Sequence, residues 1–235
     1  MKKGILTLVS AVFACGLLFS QEIAIAELPS PCVDLKGMNP GDESDLIFDD
    51  NLGIASIGAV PAKWNILDGN ALVTENPDGN KMIQLAPVAT ISPRFSQKAP
   101  YLPKNYTIEF EFYLDRNRIE GDAYNFQLRE DPLSSLCDIR IENDMNGDFI
   151  YKWKWITPRG EEKESALPAN LEKDAWHKIS LWVKNEKVRV FINNRLAIDI
   201  PAVAGANELW INSVSSEITK KNYIRAVKIA QQSAL

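Results

Sequence analysis

Trp176–Pro201 reads WHKISLWVKNEKVRVFINNRLAIDIP, and this run decides the fold class. Ile179, Leu181 and Val183 alternate with polar or amphipathic neighbours. So do Val188, Val190 and Ile192, and then Leu196, Ile198 and Ile200. Period-two alternation marks half-buried antiparallel strands. A turn at Lys184–Lys187 sets Val183 opposite Val188, Leu181 opposite Val190 and Ile179 opposite Ile192. A three-residue loop, Asn193–Arg195, sets Ile192 opposite Leu196, Val190 opposite Ile198 and Val188 opposite Ile200. A two-residue Asn193-Asn194 turn would slip the register by one and carry Arg195 to the core face, which burial disfavours. One apolar face and one solvated face is the pattern of a sheet in a β-sandwich.

The same reading extends in both directions. Strands are expected at 64–67, 71–75 and 82–86, separated by turn signals at Asp68-Gly69-Asn70 and Pro77-Asp78-Gly79-Asn80. Another runs over 89–95, interrupted by Pro93. Ile108, Phe110, Phe112 and Leu114 face one way on the next strand. Tyr124, Phe126 and Leu128 do the same, as do Cys137, Ile139 and Ile141. Strands near 207–213 and 223–231 close the chain. About a dozen short strands, with turn signals between them and no helical period, predict an all-β protein. We read it as one two-sheet antiparallel jelly-roll sandwich over 46–235, preceded by an arm at 27–45. The chain is 235 residues long with 46% hydrophobic and 24% charged residues, which supports a soluble globular core.

The 176–201 run resembles the late strands of laminin-G-like (concanavalin A-like) jelly rolls, in which a Trp-His pair opens a strand. The N-terminal half, LIFDDN…GAVPAKWNILDGNALVTEN…KMIQL…ATISP…YLPKNYTIEFEFYL, is similar to the laminin-G-like segment that precedes the OmpA-type domain in a group of bacterial outer-membrane proteins. Nothing of OmpA-type size follows here, so peptidoglycan anchoring is not implied. The resemblance implies a fold shared by lectins, adhesion modules and some glycosidases. The expectation is an exported, non-catalytic binding or adhesion module for carbohydrate. The alternatives are a glycoside-processing enzyme of the same fold and a structural envelope protein that binds a protein partner.

Export is read from the first 26 residues. Lys2 and Lys3 precede an uncharged apolar run, Gly4–Phe19, and Ala24-Ile25-Ala26 fits signal-peptidase cleavage. Val12-Phe13-Ala14-Cys15 partly matches a lipobox, which keeps lipid anchoring at Cys15 as an alternative to the periplasm, outer-membrane surface or medium. The run is too short for a membrane span. Removing residues 1–26 takes two of the 26 basic and one of the 31 acidic residues, for a net charge of −6. An acidic chain without a basic run argues against nucleic acid and anionic membranes as partners. The remaining cysteines, Cys32 and Cys137, are either a disulfide or two separate thiols.

Candidate chemistry is sparse. His177 is the only histidine, which excludes a multi-histidine zinc site. Glu109 and Glu111 share a strand face, as the acid pair of a retaining glycosidase would. Jelly-roll glucanases carry a pattern resembling E-x-D-x-x-E, and its central Asp is missing here. The bland reading is a solvated face paired with neighbours such as Arg129 and Arg140. No cofactor is expected other than a structural calcium. Asp144-Met145-Asn146-Gly147-Asp148 starts like a calcium loop but continues with Phe149, and otherwise reads as a hairpin turn; Asp49 and Asp50 are the other option. Tyr151, Trp153 and Trp155 alternate with Lys152 and Lys154. A two-residue Asn146-Gly147 turn would bury the lysines, so a loop one residue longer or shorter, with the aromatics in the core, is expected. Trp182 and Trp210 are out of phase with the apolar sets of their strands and should point away from the core, either covered by another element or exposed for sugar stacking. With Glu109, Gln127, Arg129 and Arg140 they form the candidate ligand set.

Overall fold

In a computed structural model of the chain, the described residues are 46–96, 101–144, 146–156, 161–184, 187–201, 205–217 and 221–232, without the side chains of 167–169. They all belong to one compact unit, Met38–Leu235. The expected signal segment, Cys15, the 27–45 arm and Cys32 lie outside them. Among the described residues no helix is long and apolar enough to cross a membrane.

The described strands begin with β1 (Leu46–Asp50), β2 (Trp64–Asp68), β3 (Ala71–Glu75), β4 (Lys81–Leu85) and β5 (Val88–Pro93). Then come β6 (Tyr106–Leu114), β7 (Ala123–Asp131), β8 (Ser134–Asn143), β9 (Phe149–Ile156) and β10 (Glu162–Ala169). The chain closes with β11 (Ala175–Lys184), β12 (Lys187–Ile192), β13 (Arg195–Pro201), β14 (Glu208–Val214) and β15 (Asn222–Gln231). They form two antiparallel sheets. The eight-stranded sheet runs β13-β12-β11-β6-β15-β4-β3, with β1 also paired to β15. The seven-stranded sheet runs β10-β9-β8-β7-β14-β5-β2. This is the all-β sandwich that the alternation predicts.

The core lies between the inner faces. Phe110 and Phe112 of β6 meet Phe126 and Tyr124 of β7 across the gap, with ring centroids 4.6 and 5.2 Å apart. The Tyr124 hydroxyl donates to Tyr113 O at 2.7 Å and accepts from Tyr223 N at 2.9 Å, so a side chain from one sheet satisfies the backbone of the other. Cys137 is a free thiol in this core, and burial pushes it up to about 12.

The β11–β12 register is the expected one, including Ile179 with Ile192 and Val183 with Val188. The following turn differs. Asn193 and Asn194 both have positive φ, 50° and 62°, and form a two-residue turn in which Ile192 pairs with Arg195. Ala197 is then an extra residue, so Phe191 faces Leu196 while Val190 still faces Ile198 and Val188 still faces Ile200. The bulge absorbs the slip and leaves Arg195 exposed. Asn193 is held in place by its neighbours: its Nδ2 donates to His177 Nδ1 at 2.8 Å, and its Oδ1 accepts from Lys178 N at 3.0 Å. His177 is buried, and its other ring nitrogen bonds Glu172 O at 2.8 Å. The histidine thus fixes a turn.

The β8–β9 hairpin closes through a five-residue loop, Asp144–Asp148, since Asn143 pairs with Phe149. Ile139 then faces Trp153 and Ile141 faces Tyr151, while Arg140 faces Lys152 and Asp138 faces Lys154. The aromatic trio packs on the core and the lysines point to the outer face, as their burial cost demands. Strand β10 is absent from the expectation. It is an edge strand with Glu162, Lys163 and Glu164 at one end and Pro168 near the other, a composition that deters further strand addition.

Candidate functional site

The outer faces of the two sheets carry the polar and aromatic residues, and the sandwich keeps them apart. Trp182 and Glu109 lie on the eight-stranded sheet; Trp210, Gln127, Arg129 and Arg140 lie on the seven-stranded sheet. The candidate ligand set is therefore two sets. Alternation tells inside from outside, but β6 and β7 belong to different sheets, so their outward residues point in opposite directions.

On the seven-stranded sheet, a groove of 430 Å³ crosses β7 to β10. Its carboxylates are Asp138, Glu142 and Glu164, its cations Arg140, Lys152 and Lys154, and its amide Asn125. Cross-strand pairing builds it: Asn125 faces Arg140, Arg140 faces Lys152, and Lys154 lies between Asp138 and Glu164. Arg140 and Lys152 are like charges directly opposite each other, and Glu142 compensates both, with salt bridges to each. Burial pushes the Glu142 carboxyl up, but the hydrogen bond from Lys152 and the charge of Arg140 outweigh this and hold it below its ordinary value. Glu142 is thus an ionised anchor rather than a proton donor. The Asn125 backbone carbonyl accepts from Asn212 Nδ2 at 3.2 Å, while its side-chain Oδ1 is buried without a partner. Trp210 lies on the same face. The Arg129 guanidinium stacks 4.2 Å from its ring centroid and Glu208 accepts from its Nε1 at 2.7 Å, so one face of the indole is already covered.

The eight-stranded sheet carries Glu109 and Glu111 on its outer face. Their partners are not Arg129 and Arg140, which lie on the other sheet. Glu109 pairs with Lys178 at 2.8 Å and accepts from Ser180 at 3.1 Å; Glu111 pairs with Arg225 at 2.6 Å. Each carboxylate is engaged by a neighbouring cation, the arrangement of a cross-strand ladder. Arg225 also stacks 4.0 Å from the centroid of Trp176, which packs on Tyr113 at 5.5 Å. Six residues along β11, about 20 Å away, Trp182 sits edge-on to Phe191 at 5.8 Å. A second groove of 270 Å³ lies there, lined by Trp182, Lys184, Lys187 and Arg189. The three cations were not singled out from the sequence, yet the Val183–Val188 register already placed Arg189 opposite Trp182 and Lys184 opposite Lys187.

Of the acids proposed for calcium, Asp50 and Asp144 are engaged elsewhere, while Asp49 Oδ1 is buried without a hydrogen-bond partner. Asp50 is buried and accepts from Trp64 Nε1 at 2.5 Å. Asp49, its neighbour along the strand, points to the other face, so the two do not converge. Asp144 Oδ1 accepts from the amides of Asn146 and Asp148, both at 2.9 Å, and so closes its own hairpin loop. Among the described residues no group of three or more His, Cys, Asp or Glu is placed to hold a metal ion.

No family model matches the chain, and no curated protein does. Solved structures share its fold. LamA of Zobellia galactanivorans, in complex with laminaritriose and laminaritetraose, superposes with a TM-score of 0.55 at 14% identity, covering 79% of this chain and 98% of that one. A glycoside hydrolase family 16 endo-glucanase of Bacteroides ovatus, in complex with G4G3G-2F-DNP, gives 0.53 at 14% identity, covering 77% and 99%. The binding domain of botulinum neurotoxin serotype D gives 0.55 at 11% identity and covers 81% of this chain, which spans 49% of the toxin chain. At such identities the likeness establishes the concanavalin A-like jelly-roll fold.

Proposed function

We propose that the protein is an exported, non-catalytic carbohydrate-binding module, and that its sugar site is the groove across β7 to β10. One observation carries this reading: the groove is lined by three carboxylates, three cations and the Asn125 amide on one sheet face. A sugar hydroxyl both donates and accepts, so it is matched by alternating acceptors and donors, and balanced charge suits an uncharged sugar. The oligosaccharide complexes of LamA and the endo-glucanase support the ligand class. Location in the cell envelope or outside the cell rests on the N-terminal segment, and the likeness to the laminin-G-like part of OmpA-type proteins belongs to this proposal.

Titration calorimetry of the chain against a panel of neutral polysaccharides and oligosaccharides tests it. Saturable binding without release of reducing ends is expected, weakened about tenfold in Asn125→Ala and Asp138→Ala through loss of a hydrogen bond to the sugar. A second reading, glycoside processing through Glu109 and Glu111, is favoured by the endo-glucanase likeness. Release of reducing ends, abolished in Glu109→Gln or Glu111→Gln, would replace the binding reading with that one. No response to any sugar, with co-purification of an envelope protein, would move the assignment to a structural role.

A further inference from the structure

The second groove lies on the opposite sheet and has a different chemistry. Trp182 and Lys184 project from the outer face of β11, and Lys187 and Arg189 from that of β12, and together they line it. Arg189 is the direct cross-strand partner of Trp182, and Lys184 of Lys187. Like charges directly opposite each other destabilise a sheet. At Arg140 and Lys152 the same liability is cancelled by Glu142. Among the described residues no carboxylate forms a salt bridge with Lys184 or Lys187. Arg189 is held by Asp199 through Nε at 3.1 Å. Three cations therefore line the groove beside a half-buried indole, with Asp199 as the described carboxylate partner of Arg189 and Glu186 standing between the two lysines in the sequence, on a chain whose net charge is −5.

We propose that this corner is a subsite for an acidic sugar residue of a polysaccharide. The apolar face of the ring stacks on Trp182, and its carboxylate, sulfate or phosphate group is held by Lys184, Lys187 and Arg189. The aromatic ring selects a saccharide over a simple anion, and the lysine pair selects an acidic saccharide over a neutral one. The groove across β7 to β10 has balanced charge and is independent of this subsite, so either can fail without the other.

The test is titration of the chain with polygalacturonate, with dextran sulfate, with a neutral galactan and with polyglutamate, at low and at high salt. Polygalacturonate or dextran sulfate is expected to bind and to change tryptophan fluorescence, with affinity falling as salt rises. Lys184→Glu/Lys187→Glu should weaken this binding at least about tenfold, and Ile54→Ala, at an exposed residue outside both grooves, should leave it unchanged. Because Trp182 also packs on Phe191, Trp182→Phe and the lysine pair together carry the test if Trp182→Ala fails to fold. Equal affinity for polyglutamate would reduce the corner to a nonspecific cationic patch and overturn the stacked-sugar subsite. So would equal affinity for neutral galactan, or an undiminished response in the lysine double variant. Comparison of polygalacturonate with dextran sulfate separates a carboxylate ligand from a sulfate ligand.

Discussion

Glu142 on the seven-stranded sheet has two cations, Arg140 and Lys152, and its side chain is 10% exposed. Glu111 on the eight-stranded sheet has one, Arg225, and is 32% exposed. Both are cross-strand ladders of opposite charge, and they differ in how much water they have lost. A carboxylate taken largely out of water depends on its partners, whereas one left in water barely does. The cluster around Glu142 is therefore the more preorganised of the two, with side chains locked by each other; on the eight-stranded face Glu109, 13% exposed and paired with Lys178, comes nearest to it, and beside Trp182 only Arg189 of the three cations is held by a described carboxylate, Asp199.

The sharpest way to break this contrast is to delete the cations. Arg140→Ala/Lys152→Ala leaves Glu142 without compensation and should cost about 2–3 kcal/mol, below the full buried-pair penalty because both cations are partly hydrated. Arg225→Ala should cost less than about 1 kcal/mol. Urea unfolding of the two variants measures both, and equal losses would mean that the faces do not differ in preorganisation.

Acid should act on the same difference. With its carboxyl held below the ordinary value in the folded state, Glu142 contributes stability above the unfolded carboxylate range, about pH 4, and that contribution disappears as pH falls through the folded value. The unfolding free energy of the wild type should fall over this range, and Glu142→Gln should flatten part of that fall. An unchanged slope in the variant would remove Glu142 from the account.

A smaller effect separates the two tryptophans. Arg129→Ala should uncover the Trp210 ring and shift tryptophan emission to the red. The indole of Trp182 sits edge-on to Phe191, and among the described residues no cation is stacked over it.

How far the sequence could carry these distinctions depends on the residue. The cost of burying Lys152 and Lys154 decided the orientation of Tyr151, Trp153 and Trp155 without coordinates. The same reasoning failed at Arg195, because a two-residue turn followed by a bulge at Ala197 keeps arginine out as well as a three-residue loop does. Alternation shows the register at strand centres but not where an extra residue is inserted. Strand β10 was invisible because charges occupy both its faces at one end and no apolar period remains. The ligand set was scattered for a topological reason: the 115–122 connection crosses from one sheet to the other, and no local pattern reports that. The cations around Trp182 were legible, since they follow from the β11–β12 register, and only the pairing of that register with charge was missed.

The electrostatic half of the contrast has a ligand-free test. Cations beside an indole raise the local concentration of a small anion within a Debye length, about 10 Å at 0.1 M salt. Iodide should therefore quench Trp182 more effectively than Trp210, whose ring is capped by Arg129 and whose Nε1 is held by Glu208. With 6 tryptophans in the chain, the signal must be taken by difference. Trp182→Phe should lower the iodide quenching constant, whereas Trp210→Phe should scarcely move it. Acrylamide, which is neutral, reports exposure alone and corrects for it. If the iodide-to-acrylamide ratio is the same for both variants, then Lys184, Lys187 and Arg189 generate no field at the indole. The asymmetry between the two faces would then be one of shape and burial, not of charge.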